Sequence, residues 1–380
     1  MTIPVLLLLV LYVGYFFLIN TYTRLWDKIP SYDRVNHTNG NIQVTVVVPA
    51  RNEEQNIAAC LDALLHQSYP RNLTEIIIVD DHSEDKTAEI VSAYKAAGVR
   101  LISLKDHVKE DEMIRSFKKK AIETAIARAT GQLIITTDAD CTAGKDWIST
   151  LVDHYLQTGN VLIVAPVEIK LRKTLLSIFQ SMDFAVLQGI TAVAVTGKLH
   201  NMCNGANLAY EKQVFHDVGG FNGIDHIASG DDMLLMDKIE KKYPGQTGYL
   251  FSGAAIVSTM PAESVRQFMH QRIRWASKAT SYQSAGIKLA LLLVLMVNIS
   301  WLLLLTAGFF SALWFRIFMV TAFYKMLIEW RFVKKVLDFF SMNRLMPLFP
   351  LFQPLHVLYT VAAGFAGLFT KYEWKGRTVR

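Results

Sequence analysis

The chain has 380 residues, 52% of them hydrophobic, and a formal net charge of +6. That length admits one large domain or two modest ones. The lysines and arginines form no long basic tract, which argues against a nucleic-acid-binding protein and leaves an anionic membrane surface or phosphate groups as the natural partners of the positive charge.

Hydrophobic residues crowd into the first twenty positions and into most of the chain after Ile287, while residues 40–280 read as an ordinary water-soluble domain. The opening run "IPVLLLLVLYVGYFFLIN" (3–20) is uncharged and just long enough to cross a bilayer. It lacks the basic start and small-residue cleavage site of a signal peptide. Arg24, Trp26 and Lys28 follow it, so the positive-inside rule and the aromatic belt put that end in the cytosol. The expectation is a transmembrane anchor over residues 1–24.

From Gln43 short apolar runs alternate with helical patterns. "QVTVVVP" (43–49) reads as a buried strand ending in proline, and "EEQNIAACLDALLHQ" carries Ile57, Leu61, Leu64 and Leu65 at helical spacing. "EIIIVD" (75–80) is a second strand, followed by a helix capped by Ser83 or Asp85 and stopped at Gly98. "VRLISL", "QLIITTD" (132–138) and "VLIVAPV" (161–167) are further strands, with "KKKAIETAIARATG" and "DWISTLVDHYLQ" as helices between them. Such alternation predicts an α/β fold, a mainly parallel sheet with helices on both faces, whose ligands sit beyond the carboxyl ends of the strands. Three of those ends are rich in chemistry: "PARNEE", "VDDHSED" and "TDADC".

Asp138 and Asp140, two apart at a strand end, lean toward one side and repel each other unless a cation lies between them. A hard divalent ion, Mg²⁺ or Mn²⁺, is the natural choice, completed by phosphate oxygens and water; by itself D-x-D equally fits two turn aspartates. Asp80 and Asp81 fit either a base or ribose contact or a helix-capping turn. Lys118, Lys119 and Lys120 open the helix before the Asp138 strand, within reach of a phosphate or simply solvated. Asp231 and Asp232 in "SGDDMLL" fit a helix N-cap or a catalytic base. "QRIRW" (271–275) fits a membrane-surface anchor or a substrate contact. Cys60, Cys141 and Cys203, odd in number and without metal-ligand spacing, fit buried thiols in a reducing compartment.

After Ile287, three apolar segments follow: one from 287, a second over roughly 310–332, and a third over 345–370. The second ends in Lys325, Glu329, Arg331, Lys334 and Lys335, marking a cytosolic end. The third holds Pro347, Pro350 and Pro354, so its first part fits a re-entrant or interfacial piece. Three full spans would leave the basic tail (372–380) outside, against its charge. The region 285–371 is therefore expected to hold two or three spans.

Together these pieces resemble membrane-integrated family-2 glycosyltransferases, the group that contains cellulose, hyaluronan and poly-N-acetylglucosamine synthases. The likeness covers about residues 42–280 and the flanking apolar segments. It rests on "VVVPARNEEQNI", "IVDDHSEDKT", "KKKAIETAI", "TTDADC", "NGANLAYEKQVFHDVGGFN" (204–222), "GDD" (230–232) and "QRIRW", in that order. The resemblance implies a GT-A-type nucleotide-sugar-binding domain over 40–280 and an inverting hexosyl- or N-acetylhexosaminyltransferase. It implies a UDP-sugar donor held by Pro49, Ala50, Glu53, Asp80, Asp81, Lys118, Lys119, Asp138, Ala139 and Arg274. Asp138 and Asp140 would hold the Mg²⁺ or Mn²⁺. Asn204, Gly205, Gln271, Arg272 and Trp275 would meet a lipid or glycan acceptor. Many relatives have Glu-Asp where this chain has Asp231-Asp232, and the second acid, Asp232, is the implied base with Asp231 as its alternative. The implied setting is the cell inner membrane with a cytosolic catalytic domain, serving cell-envelope polysaccharide or glycolipid synthesis; oligomerisation stays open. A processive synthase that exports its polymer is the rival within the class. A scaffold that had lost the chemistry is the rival outside it, and would be expected to lack one of the carboxylate sites.

Overall fold

The computed structural model describes residues 2–32, 41–108, 116–227, 230–278, 282, 284–369, 372–374 and 377–379. Part of the basic tail expected over 372–380 lies outside the described residues.

The chain opens with α1 (Thr2–Trp26) and then builds an α/β unit. Its first half is β1 (Val44–Ala50), α2 (Ile57–Leu65), β2 (Thr74–Asp80), α3 (Thr87–Ala93), β3 (Val99–Ser103), α4 (Phe117–Ile126) and β4 (Leu133–Thr136). Next come β5 (Thr142–Ala143), α5 (Trp147–Thr158), β6 (Leu162–Val164), β7 (Val167–Ile169), α6 (Leu175–Thr196), β8 (Leu208–Glu211) and α7 (Lys212–Asp217). The unit closes with α8 (Met233–Lys242), β9 (Thr247–Tyr249), β10 (Val257–Thr259) and α9 (Val265–Ser277). Three long helices follow, α10 (Ala285–Gly308), α11 (Ala312–Phe339) and α12 (Phe349–Phe369), and then a short hairpin of β11 (Tyr372–Trp374) and β12 (Arg377–Val379).

The main sheet has the order β3-β2-β1-β4-β8-β6-β9. It is parallel except for β8, which runs antiparallel to both β4 and β6. The expected mainly parallel α/β sheet is therefore the one observed. β1 and β2 pair in register from Val44↔Thr74 to Ala50↔Asp80, so both strands end at one level. Alternate residues feed two cores. Val44, Val46, Val48, Ile76 and Ile78 pack toward α2 and α5, while Val47, Ile77 and Val79 pack with Ala121, Ile122 and Ala125 of α4. Burial on both faces explains why these strands are continuous apolar runs.

Among the described residues, four helices are long and apolar enough to cross a membrane: Ile3–Trp26, Leu175–Thr196, Ala285–Gly308 and Asn343–Phe369. The second is 72% buried inside the protein against 17–22% for the other three, so its apolar surface is already covered. This helix, α6, had no counterpart in the sequence reading; it is a core helix on which the others dock. At Gly189 a Cβ would lie 2.3 Å from a Val336 methyl, so the missing side chain is what lets α11 approach α6. α11 is equally long, but Arg316, Lys325 and Glu329 interrupt its apolar surface.

The helices have a defined direction. Lys335 Nζ meets Asp27 Oδ1 at 2.5 Å, which puts the C-terminal ends of α11 and α1 side by side. α10 starts against the α/β unit, where Gly286 abuts the Leu199 carbonyl, and runs away to a turn with Phe309 and Phe310 almost fully exposed. α12 instead lies along α9, with Tyr359 packed on Phe268 at 5.1 Å between centroids, and β11 also packs beside α9.

Candidate active site

The carboxyl ends of β1 and β2 carry two turns that are laced together. Arg51, buried, donates from Nη1 to the Asp81 and His82 carbonyls at 2.9 and 2.6 Å and from Nη2 to Glu84 at 3.2 Å. Asn52 N–H donates to Ser83 Oγ, Glu53 N–H to Thr87 Oγ1, and Glu54 N–H to Asp85. Asn52 and His82, at φ 50° and 53°, supply the left-handed positions that let both turns fold back. Asp80 is buried at the end of β2; its Oδ1 has no hydrogen-bond partner among the described residues. A buried acceptor left bare costs free energy until a ligand N–H or O–H meets it.

One lysine joins the acids of the neighbouring strand to those of α8. Lys118, on the first turn of α4, places Nζ 2.8 Å from Asp138 Oδ1 and 3.1 Å from Asp231 Oδ2. Burial disfavours its charge, but Asp138, Asp231 and Asp232 outweigh that and hold its pKa well above the ordinary lysine range. Burial likewise pushes the Asp231 carboxyl up, yet Lys118 and Lys278 prevail and keep it below the usual carboxylate range. Asp232 caps α8: its Oδ1 accepts from Met233 N–H at 2.8 Å and its Oδ2 from Gly205 N–H at 3.1 Å, with Lys278 Nζ 3.7 Å from Oδ1. A Cβ on Gly205 would stand 3.1 Å from Asp231 Oδ2 and 3.5 Å from Lys118 Nζ, so a glycine keeps this junction open.

Asp138, Asp140 and Cys141 bring their ligand atoms within 4.8 Å of one another. Asp140 accepts from Thr259 Oγ1 at 3.2 Å and from the Cys141 thiol at 3.4 Å. Burial, then Asp140 and Asp138, push the Cys141 thiol up, and it donates to Asp140 Oδ1. Two carboxylates remain, a hard oxygen donor set that fits Mg²⁺ or Mn²⁺ and not a thiophilic ion.

On the far wall α9 presents "QRIRW". Arg272 is buried in a cage, with Nη2 2.9 Å from Asp183 Oδ2 and the guanidinium 4.3 Å from the Trp275 ring and 4.8 Å from that of Phe268. Asp183, on α6, also accepts from Tyr359 Oη at 2.7 Å and pairs with His356 Nδ1 at 2.9 Å. Gln271 Oε1 is buried without a partner, and Arg274 pairs with no acid among the described residues. A single cavity of about 700 Å³ takes in Glu53, Asp138, Asp140, Asp231, Asp232 and Arg274. Carboxylates widely separated in sequence therefore share one cleft.

Comparison with known proteins explains this convergence. The profile described as "Glycosyl transferase family 2" matches residues 45–219, and that described as "Glycosyl transferase family group 2" matches residues 133–366, more than half of the chain. The chain belongs to the family-2 glycosyltransferases. It is 28% identical over 190 residues to glycosyltransferase AglE of Haloferax volcanii and 27% identical over 240 residues to the probable glycosyltransferase YdaM of Bacillus subtilis. Those matches cover 50% and 62% of this chain and 59% and 54% of the relatives, so the chain spans little more than half of their length. Among solved structures, the mannosyltransferase PcManGT of Pyrobaculum calidifontis, in complex with GDP-Man and Mn²⁺, superposes with a TM-score of 0.57 at 19% identity, over 94% of this chain and 93% of that one. That likeness supports the GT-A-type fold.

Within this family-2 glycosyltransferase most residues expected at the site line the cleft: Pro49, Ala50, Glu53, Asp81, Lys118, Asp138, Ala139, Asp140, Asn204, Asp231, Asp232, Gln271, Arg272, Arg274 and Trp275. Asp80 and Gly205 stand just behind that wall. Lys119 is the correction. It faces the other side of α4, where Nζ donates to the Ile224 and Ile227 carbonyls at 2.6 and 2.7 Å, and burial pulls its pKa down to about 8. Adjacent helical residues point about 100° apart, so Lys118 makes the direct contacts with Asp138 and Asp231 while Lys119 feels Asp231 and Asp232 only through space. Trp275 lines the cleft with the Arg272 guanidinium over one of its faces. Four contributors went unread: Arg51, Lys278, Asp183 and His356. Arg51 sits inside "PARNEE" and Lys278 three residues beyond "QRIRW", both legible as charges beside a motif; Asp183 and His356 carried no local signal.

Proposed function

We propose that this protein transfers a hexosyl or N-acetylhexosaminyl unit from a UDP-sugar, with inversion, to a hydroxyl of a membrane-associated lipid or glycan. The observation that carries the reading is the chain of charges from Asp140 and Asp138 through Lys118 to Asp231 and Asp232, in one cleft. The Asp138 end suits a sugar diphosphate and the Asp232 end an incoming hydroxyl.

Asp232 takes the proton of the acceptor hydroxyl. Its carboxylate is aimed by two backbone N–H groups, from Gly205 and Met233. The freed oxygen attacks the anomeric carbon from the face opposite the diphosphate, and the breaking C–O bond leaves its electron pair on UDP. A positioned base of this kind contributes ~10²–10⁴-fold. Asp231, tied to Lys118, holds that lysine where it can face the phosphates, and Arg274 offers a second cation from α9. A divalent cation held by Asp138 and Asp140 would supply Lewis-acid stabilisation of the departing diphosphate. Glu53 and Asp81, on the cleft wall, suit the uridine, with Asp80 behind them.

α1 and α10 are assigned to the bilayer, with α11 and α12, both packed against α10, completing two or three crossings after the α/β unit, which is assigned to the cytosol. The test is nucleotide release by purified protein, with Mn²⁺ or Mg²⁺, from UDP-glucose, UDP-N-acetylglucosamine and GDP-mannose in turn, followed by NMR of the product linkage. UDP release and a β-linked product are expected. Use of the GDP-sugar alone would overturn the uridine assignment, and an α-linked product the inverting mechanism.

A further inference from the structure

The cleft does not end at the α/β unit. Beyond Asp232 the same cavity passes Cys203 and Tyr282, both within electrostatic reach of that carboxylate, and continues among the long helices. There it is lined by Ile287, Leu291 and Val294 of α10, facing Ile19 of α1 and Phe332 of α11. From the acids to α10 the lining passes from carboxylates to a mainly apolar wall, with Tyr15, Tyr22 and Glu329 beside it, within one space.

We infer that this extension seats one hydrocarbon chain of the acceptor, and that the acceptor is a lipid whose headgroup hydroxyl reaches Asp232. The inference rests on the transfer proposed above and narrows its acceptor. A growing polysaccharide is a poor occupant, because each sugar hydroxyl drawn into this stretch would leave water without a hydrogen-bond partner. An alkyl chain loses nothing there and removes apolar surface from water. The volume, about 700 Å³ for cleft and extension together, lies in the ordinary range of pockets that enclose a small ligand. Continuity with the acids separates this seat from an annular lipid site, since a molecule whose tail lies along α10 has its head at the reacting atoms. On the cavity wall, Gln271 Oε1, buried and without a hydrogen-bond partner among the described residues, gives a headgroup hydroxyl an acceptor to donate to.

The test uses the full chain in phosphatidylcholine nanodiscs and needs no nucleotide-sugar. The probe is 1-O-hexadecylglycerol carrying a diazirine at mid-chain; labelled peptides are mapped by mass spectrometry with and without an excess of unlabelled 1-O-hexadecylglycerol. Label is expected on Ile287, Val294 and around Phe332, reduced at least fivefold by the competitor and by either Ile287→Trp or Val294→Trp. Label confined to outward-facing Leu289 and Leu303, or indifferent to the competitor, would overturn the seat whatever the variants do. That result together with UDP release onto a water-soluble glycan would remove the lipid acceptor and leave the transfer reaction standing. Competed interior label in a protein that releases no nucleotide from any donor would sink the transfer reading and, with it, the acceptor role.

Discussion

Lys118→Met isolates what the bridging lysine does. Its ammonium sits between Asp138 and Asp231, at 2.8 and 3.1 Å, on the carboxylate that a metal ion would also claim. Without it, four carboxylates face one another with Lys278 as the remaining paired cation. A unit charge near 4 Å is worth ~1 kcal/mol in water and ~4 kcal/mol at the effective dielectric of a protein surface. Asp138 is 35% exposed, so solvent screening favours the lower part of that span, about 1.5–2 kcal/mol. The variant should therefore bind Mn²⁺ roughly ten- to thirtyfold more tightly than the parent in the absence of nucleotide. Its metal-free form should also melt several degrees lower, because repelling carboxylates stay buried. In the transfer proposed above the lysine also faces the phosphates, so turnover should nonetheless fall by about a hundredfold. Calorimetric titration of Mn²⁺ into both proteins checks the first claim. Unchanged or weaker binding in the variant would show that lysine and cation do not compete for Asp138.

Other outcomes follow from the same geometry. Gly205→Ala puts a methyl 3.1 Å from Asp231 Oδ2, so the Lys118–Asp231 contact must give by a few tenths of an ångström; nucleotide release should drop about tenfold with little change in melting temperature. Arg51→Lys keeps the charge but loses the fork that holds the Asp81 and His82 carbonyls, and should raise KM for the donor about tenfold while kcat changes less. Asp183→Asn leaves Arg272 buried without its counter-ion and should destabilise the protein by about 3 kcal/mol, read from denaturant melts in detergent. Chelation by EDTA should abolish nucleotide release, and Mn²⁺ or Mg²⁺ should restore it.

What the sequence made legible is the part governed by local rules. The β1, β2 and β4 strands announce themselves as β-branched runs because both of their faces are buried, and acids at their carboxyl ends mark where a ligand sits. β8 was harder. "NLAYE" looks like any short strand, and its antiparallel insertion between β4 and β6 depends on partners far away in the chain. α6 was missed because Gln180, Ser181, Asp183 and Gln188 break its apolar pattern; the fold explains them, since Asp183 pairs with Arg272 and Gln188 Oε1 accepts from Val167 N–H. Three consecutive lysines carry no sign of which one meets the acids, because that depends on the rotation of α4 against the sheet. Hydropathy alone leaves α12 open, since it has the composition of a span and packs against both α9 and α10.

The central claim is that Asp138 and Asp232 serve one reaction from two ends of a cleft. It is tested most directly by measuring nucleotide release and donor binding side by side for the parent, Asp138→Asn and Asp232→Asn. The account predicts that Asp138→Asn loses metal-dependent donor binding, while Asp232→Asn binds donor as the parent does and releases nucleotide at least a hundredfold more slowly. Full turnover by either variant would contradict it.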